Sequence, residues 1–248
     1  MKNRVGEKHI TNEGYEIEII EYFGCNNCTV RFQNGVKIYN ILFNCIKRGK
    51  VRNPYHPSIH GKGYLGEGEY KCMKGGKLYK SYSVWASMIQ RGYDKGYKKK
   101  RPTYSDVIVC DEWHNFQNFA EWFCKNYNSN FMKDWDLDKD ILCSDCKIYS
   151  PETCCFIPKE INVLFRNTKS KRSDLPVGVV RHGKRFRACI GIGSKPCHIG
   201  VYGSISEAFY AVKVVKEDYI KKLADKWEGQ IDVKVYKILY NYEIKITD

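Results

Sequence analysis

Along residues 15–32 apolar and polar side chains alternate, as in Tyr15-Glu16-Ile17-Glu18-Ile19 and Thr29-Val30-Arg31-Phe32. That two-residue period predicts half-buried strands, and the following Asn34-Gly35 is a hairpin turn signal. Residues 1–53 are therefore expected to form a small β-domain. From Ser81 the period becomes helical, with one stripe through Tyr82, Trp85, Met88 and Ile89 and a second through Phe116, Phe119, Ala120 and Phe123. Between the stripes Val107-Ile108-Val109-Cys110 predicts a buried strand, and Asp111 or Asn115 stands where a helix cap belongs. Further on, Asp136 to Ile141 predicts one strand, Cys155-Phe156-Ile157 a second, and Pro158 to Phe165 a helix carrying Asn162 inward. Three short strands with turn glycines are expected between Gly178 and Tyr202, then a helix opened by a Ser204/Glu207 capping box. Val235, Leu239 and Tyr242 recur at helical spacing and predict a last helix within 231–248. The fold class expected is α+β, in several domains.

Residues 54–80 separate the β-rich from the helical part and begin rich in Pro, His and Gly, the composition of a linker or extended arm. Gly61-Lys62-Gly63-Tyr64-Leu65-Gly66 has the letters of a dinucleotide fingerprint, but no strand precedes it and no helix follows, so no nucleotide site is expected.

Charge narrows the choice of partner. The net charge of +14 marks a polyanion binder. Residues 71–101 carry ten Lys or Arg against one acid and residues 166–203 nine against one, whereas residues 102–165 carry five against eleven. Two basic segments around an acidic centre suit a duplex held on both sides of a cation site. The dense run Lys95-Gly96-Tyr97-Lys98-Lys99-Lys100-Arg101 reads as a basic loop, with Lys98, Lys99, Lys100 and Arg101 as phosphate contacts. No run of 18 apolar residues and no signal-peptide core occur, so a cytoplasmic protein without a membrane partner is expected. In that compartment the 12 cysteines are expected as reduced thiols. Cys25-Asn26-Asn27-Cys28 and Cys143-Ser144-Asp145-Cys146 are both CxxC, but they lie far apart in the chain, and a shared structural zinc is not expected.

Leu137-Asp138-Lys139-Asp140-Ile141, Tyr149-Ser150-Pro151-Glu152-Thr153-Cys154-Cys155-Phe156-Ile157-Pro158 and Ile161-Asn162 resemble the HNH homing-endonuclease-like proteins of bacteriophage genomes. Their usual wording is close to "LDRID…YSPENCRWAT…N". The upstream Trp85-Ala86-Ser87-Met88-Ile89-Gln90-Arg91 and Val109-Cys110-Asp111-Glu112-Trp113 match the same family. The resemblance covers most of the chain. It implies a ββα-metal nuclease unit over 81–167, using Mg²⁺ or Mn²⁺ and working in an infected bacterial host. It also implies that residues 1–53, through Ile20-Glu21-Tyr22 and Val30-Arg31-Phe32-Gln33-Asn34-Gly35, form an SH3-like barrel.

In such a nuclease a metal polarises the scissile phosphate while a neutral His takes a proton from the attacking water. Asp138 matches the metal-binding acid, with Asn162 as the second ligand. Lys139 stands where better-known members have the general-base His; protonated at neutral pH, it suits a phosphate clamp rather than a base. Thr153 replaces a common Asn and is a shorter donor. His114 is the one candidate for a substitute base from the preceding helix. The catalytic set implied is thus Asp138, Lys139, Thr153 and Asn162. The alternatives are a non-catalytic DNA-binding regulator on a nuclease scaffold and a phage factor that binds a host protein; a homodimer stays open.

Residues 175–226, with Gly178-Val179-Val180-Arg181, Lys184-Arg185-Phe186-Arg187-Ala188 and His198-Ile199-Gly200-Val201-Tyr202, resemble the Apetala-type (ethylene-response-factor-like) DNA-binding domain. In that family the three-stranded sheet lies in the major groove. Arginine suits bidentate contact with guanine, so Arg181, Lys184, Arg185, Arg187 and Lys195 are the expected contacts to double-stranded DNA. Strand alternation puts Arg185 and Arg187 on one face, with Phe186 and Ala188 on the other.

Overall fold

The computed structural model describes residues 3–143, 146–164, 174–192 and 195–247. The chain is α+β and divides into two compact units, Met1–Phe123 and Cys124–Asp248.

The first unit begins with strands β1 (Lys8–Ile10), β2 (Glu16–Tyr22), β3 (Cys28–Phe32) and β4 (Lys37–Ile41), antiparallel in the order β1-β2-β3-β4. Alternation does what it predicts: Ile17, Ile19, Val30 and Phe32 point into one core. Helix α1 (Phe43–Lys47) brings the fully buried Ile46 onto the same core, and the Asn12 N–H donates to the Gly49 carbonyl at 2.8 Å as the chain returns to the end of β1.

A two-strand hairpin, β5 (Met73–Lys74) and β6 (Lys77–Leu78), precedes helix α2 (Lys80–Tyr93). The basic run expected as a loop is instead helix α3 (Lys95–Lys100), because Asp94 caps it by accepting the Tyr97 N–H. Strand β7 (Ile108–Val109) is shorter than predicted, and helix α4 (Phe116–Asn126) follows. Asn115 is the cap the pattern allowed, its side chain accepting the Gln117 N–H at 3.0 Å. Trp85, Met88, Ile89, Trp113, Phe116 and Phe119 are all buried, and the Trp85 indole donates to the Trp113 carbonyl at 2.7 Å.

The stretch expected as a linker is pinned to this helical core. The Tyr64 N–H donates to the His114 carbonyl, the Tyr64 carbonyl accepts from Phe116, and Gln117 donates to the carbonyls of Leu65 and Tyr70. Gly66 shows what its glycines are for: at φ +69°, an added Cβ would lie 2.1 Å from the Asn115 side chain.

In the second unit β8 (Trp135–Asp138) pairs antiparallel with β10 (Cys155–Pro158), and helix α5 (Lys159–Leu164) follows directly. Between them lies β9 (Ile148–Tyr149). Strand β8 ends three residues earlier than predicted. Asp138 turns the chain there, its carboxylate accepting the N–H groups of Asp140 at 2.9 Å and Ile141 at 2.8 Å. Phe165, expected to end the helix, lies outside the described residues.

Strands β11 (Val179–His182), β12 (Arg185–Ile192) and β13 (Lys195–Tyr202) form an antiparallel sheet in chain order. Helix α6 (Ile205–Lys226) packs on one face, Val179, Ala188 and Ile190 meeting Ala208, Phe209 and Val212. Its Ser204/Glu207 capping box is complete. Gly178, at φ +75°, lets the chain pass under α6, since a Cβ there would meet the Cys189 carbonyl at 2.6 Å. The last helix, α7 (Val233–Tyr240), stops before Tyr242, and buried Ile244 then joins the sheet core, its N–H donating to Glu217 at 2.8 Å.

Candidate functional site

Strand β8 places Asp136 and Asp138 on one face, opposite Trp135 and Leu137, because successive side chains alternate. Helix α5 brings Asn162 to that face, but to Asp136: Asn162 Nδ2 donates to Asp136 Oδ2 at 3.1 Å. Asp136, the acid two residues back from Asp138, is thus the direct partner of Asn162, and it is one that alternation could have supplied. Burial raises the Asp138 carboxyl above the usual carboxylate range, against the pull of its two backbone donors. Cys155 faces it across the strand pair, and burial, with Asp138 next, pushes that thiol far up.

Lys139 points inward. Its side chain is 4% exposed, and Nζ donates to Asp140 and to the Cys146 carbonyl and lies 5.9 Å from the Tyr149 ring centroid. It ties the loop between β8 and β9 together. Thr153 holds the next turn, its hydroxyl donating to the Ile148 carbonyl at 2.8 Å and accepting the Ser150 N–H at 3.1 Å. Cys143 and Cys146 are joined as a disulfide, which corrects the expectation that every cysteine is reduced; the intervening Ser144 and Asp145 lie outside the described residues. Oxygen donors of the kind Asp136, Asp138 and Asn162 carry suit a hard divalent cation. Among the described residues no three His, Cys, Asp or Glu side chains converge as a metal cluster.

In the first unit His114 is engaged where it stands. Its Nε2 lies 2.7 Å from the Tyr93 hydroxyl, which also donates to the Val109 carbonyl, and Nδ1 lies 3.5 Å from Asp111. Burial lowers its pKa below the ordinary histidine value, partly opposed by Asp111. Of the basic run, Lys98 is spent on the carbonyls of Ser105 and Val107, at 3.0 and 2.9 Å, while Lys99, Lys100 and Arg101 are exposed.

The sheet of the second unit has a different character. From Leu175 to Ser206 the sequence holds five Lys or Arg and no Asp or Glu. One face is covered by α6; the other carries Arg185, His182 and Arg187. The register sets a row across all three strands, Val180 opposite Arg187 and Arg187 opposite Val201. Arg187 Nη2 donates to His182 Nδ1, which must accept because guanidinium is a donor only. Lys184 lies exposed in the two-residue turn between β11 and β12. Arg181 pairs with Phe186 instead, on the α6 side of the sheet, its guanidinium 5.9 Å from that ring, so it does not share the face of Arg185 and Arg187. Lys195 opens β13 opposite Ile192; its side chain lies outside the description, as do Arg166, Lys169, Lys171 and Arg172.

Compared with known proteins, the chain matches no family model, no curated protein and no solved structure. No helix among the described residues is long and apolar enough to cross a membrane.

Proposed function

We propose that the chain is a double-stranded-DNA-binding protein of the phage HNH homing-endonuclease-like class, with the C-terminal sheet as its Apetala-type contact surface. The observation that carries this reading is the outer sheet face: Arg185 and Arg187 stand on it, the opposite face is closed by α6, and the surrounding 32 residues hold no acid. A polyanion meets donors there without like-charge repulsion. Neutralising phosphates releases counterions, so duplex affinity of the full chain falls steeply between low and physiological salt. A gel-shift or anisotropy titration checks this; salt-independent binding, or none, overturns it.

Metal-dependent phosphodiester cleavage is the second reading. It is favoured by the order β8, β10, α5 with Asp136, Asp138 and Asn162 on one side of the strand pair. These residues would hold Mg²⁺ or Mn²⁺, which supplies charge stabilisation at the phosphate. The environments of Lys139 and Thr153 weigh against it, since both side chains are spent on loop structure. Nicking of duplex DNA under Mg²⁺ or Mn²⁺, abolished by Asp138→Asn, supports cleavage. Binding without nicking leaves the DNA-binding regulator.

A further inference from the structure

The outer sheet face is not uniformly polar. Val180 and Val201 are 42% and 37% exposed at the middle of β11 and near the end of β13, on either side of Arg187. Neighbouring strands lie about 4.8 Å apart, so the row Val180, Arg187, Val201 spans roughly 10 Å, within the roughly 12 Å width of a DNA major groove. In that groove guanine offers O6 and N7 acceptors to an arginine, and thymine alone of the four bases offers a methyl group. His182 uses one donor of Arg187 and leaves the rest of its fork for an acceptor pair.

Resting on the proposed duplex binding, we infer that this row reads a guanine flanked by thymine, Arg187 contacting the guanine edge and Val180 and Val201 packing on thymine 5-methyl groups. The partner is thus duplex DNA whose major groove carries pyrimidine methyls beside a G·C pair. Charge complementarity argues for this occupant over a protein surface: the valines are set among Arg185, Arg187 and His182, in a segment without acids. A methyl brought against a valine leaves water, and its worth corresponds to about a fourfold change in affinity for each methyl contacted.

The test uses the full chain and a randomised duplex pool. Sequences enriched by binding near 0.1 M salt are expected to contain G beside T. Remade with deoxyuridine in place of thymidine, which removes only the methyl, they should bind about fourfold more weakly per contacted base. The double variant Val180→Ala/Val201→Ala should lose that difference while keeping its melting temperature and its salt dependence. Enriched duplexes that bind equally well with deoxyuridine overturn the inference and leave the DNA-binding reading standing, as does an unchanged methyl preference in the double variant. Absence of any salt-sensitive duplex binding overturns both.

Discussion

The strand pair β8/β10 and the sheet β11–β13 both present polar side chains at strand positions, and they dispose of them in opposite ways. Around β8 the polar groups satisfy one another: Asp138 holds the backbone of residues 140 and 141, Lys139 holds Asp140 and Cys146, Thr153 holds residues 148 and 150, and Asn162 holds Asp136. On the outer face of β12 the basic groups are offered outward, with one guanidinium steadied by His182. A charged side chain is informative about function only after its structural work is subtracted. By that measure the C-terminal sheet is the stronger candidate for a ligand, and the acidic strand is first a folding device.

The largest expected effects belong to the offered groups. Arg185→Ala and Arg187→Ala should each weaken specific duplex binding by about 1–3 kcal/mol, the worth of a good arginine–guanine contact, with little change in melting temperature. Asp138→Asn should leave duplex affinity nearly unchanged. If the arginine variants bind duplex like the wild type, the contrast between the two regions fails at its first point.

Spent groups should show the reverse. Lys139→Ala removes a buried amine that bonds to Asp140 and to a loop carbonyl, and the cost expected is about 1–3 kcal/mol of stability, read by denaturant unfolding. Duplex affinity should hold. A variant as stable as wild type but deficient in DNA binding would return Lys139 to the role of phosphate clamp.

Local structure was legible from the sequence wherever one residue type acts through its own backbone. The Ser204/Glu207 box, the Asn34-Gly35 turn and the stripes through Trp85 and Phe119 all have their expected structural consequence. The site was less legible, for definite physical reasons. Alternation placed acids on one side of β8 but did not decide which of two carboxylates on that side Asn162 would reach. A lysine is rarely buried, so nothing in Leu137-Asp138-Lys139 announced that its side chain would turn inward. The loop reading of Lys95 to Arg101 failed because Asp94, a capping residue immediately before it, outweighed the charge repulsion within the run.

The smallest effect tests the same comparison inside that basic run. Lys98 reaches two carbonyls, whereas Lys99 and Lys100 point to solvent from the same short helix. If Lys99 and Lys100 contact phosphate, each alanine substitution removes about one released counterion. The slope of log affinity against log salt then shallows by about 0.9 per residue, uniformly over sequences and with stability held to within about 0.5 kcal/mol. Lys98→Ala should instead lower the melting temperature, because the carbonyls of Ser105 and Val107 lose their donor. Equal salt slopes for wild type and the Lys99→Ala/Lys100→Ala variant would show that the run stays clear of the duplex and confine DNA contact to the C-terminal sheet. A slope shallower by about two would mean that the first unit grips the duplex as well.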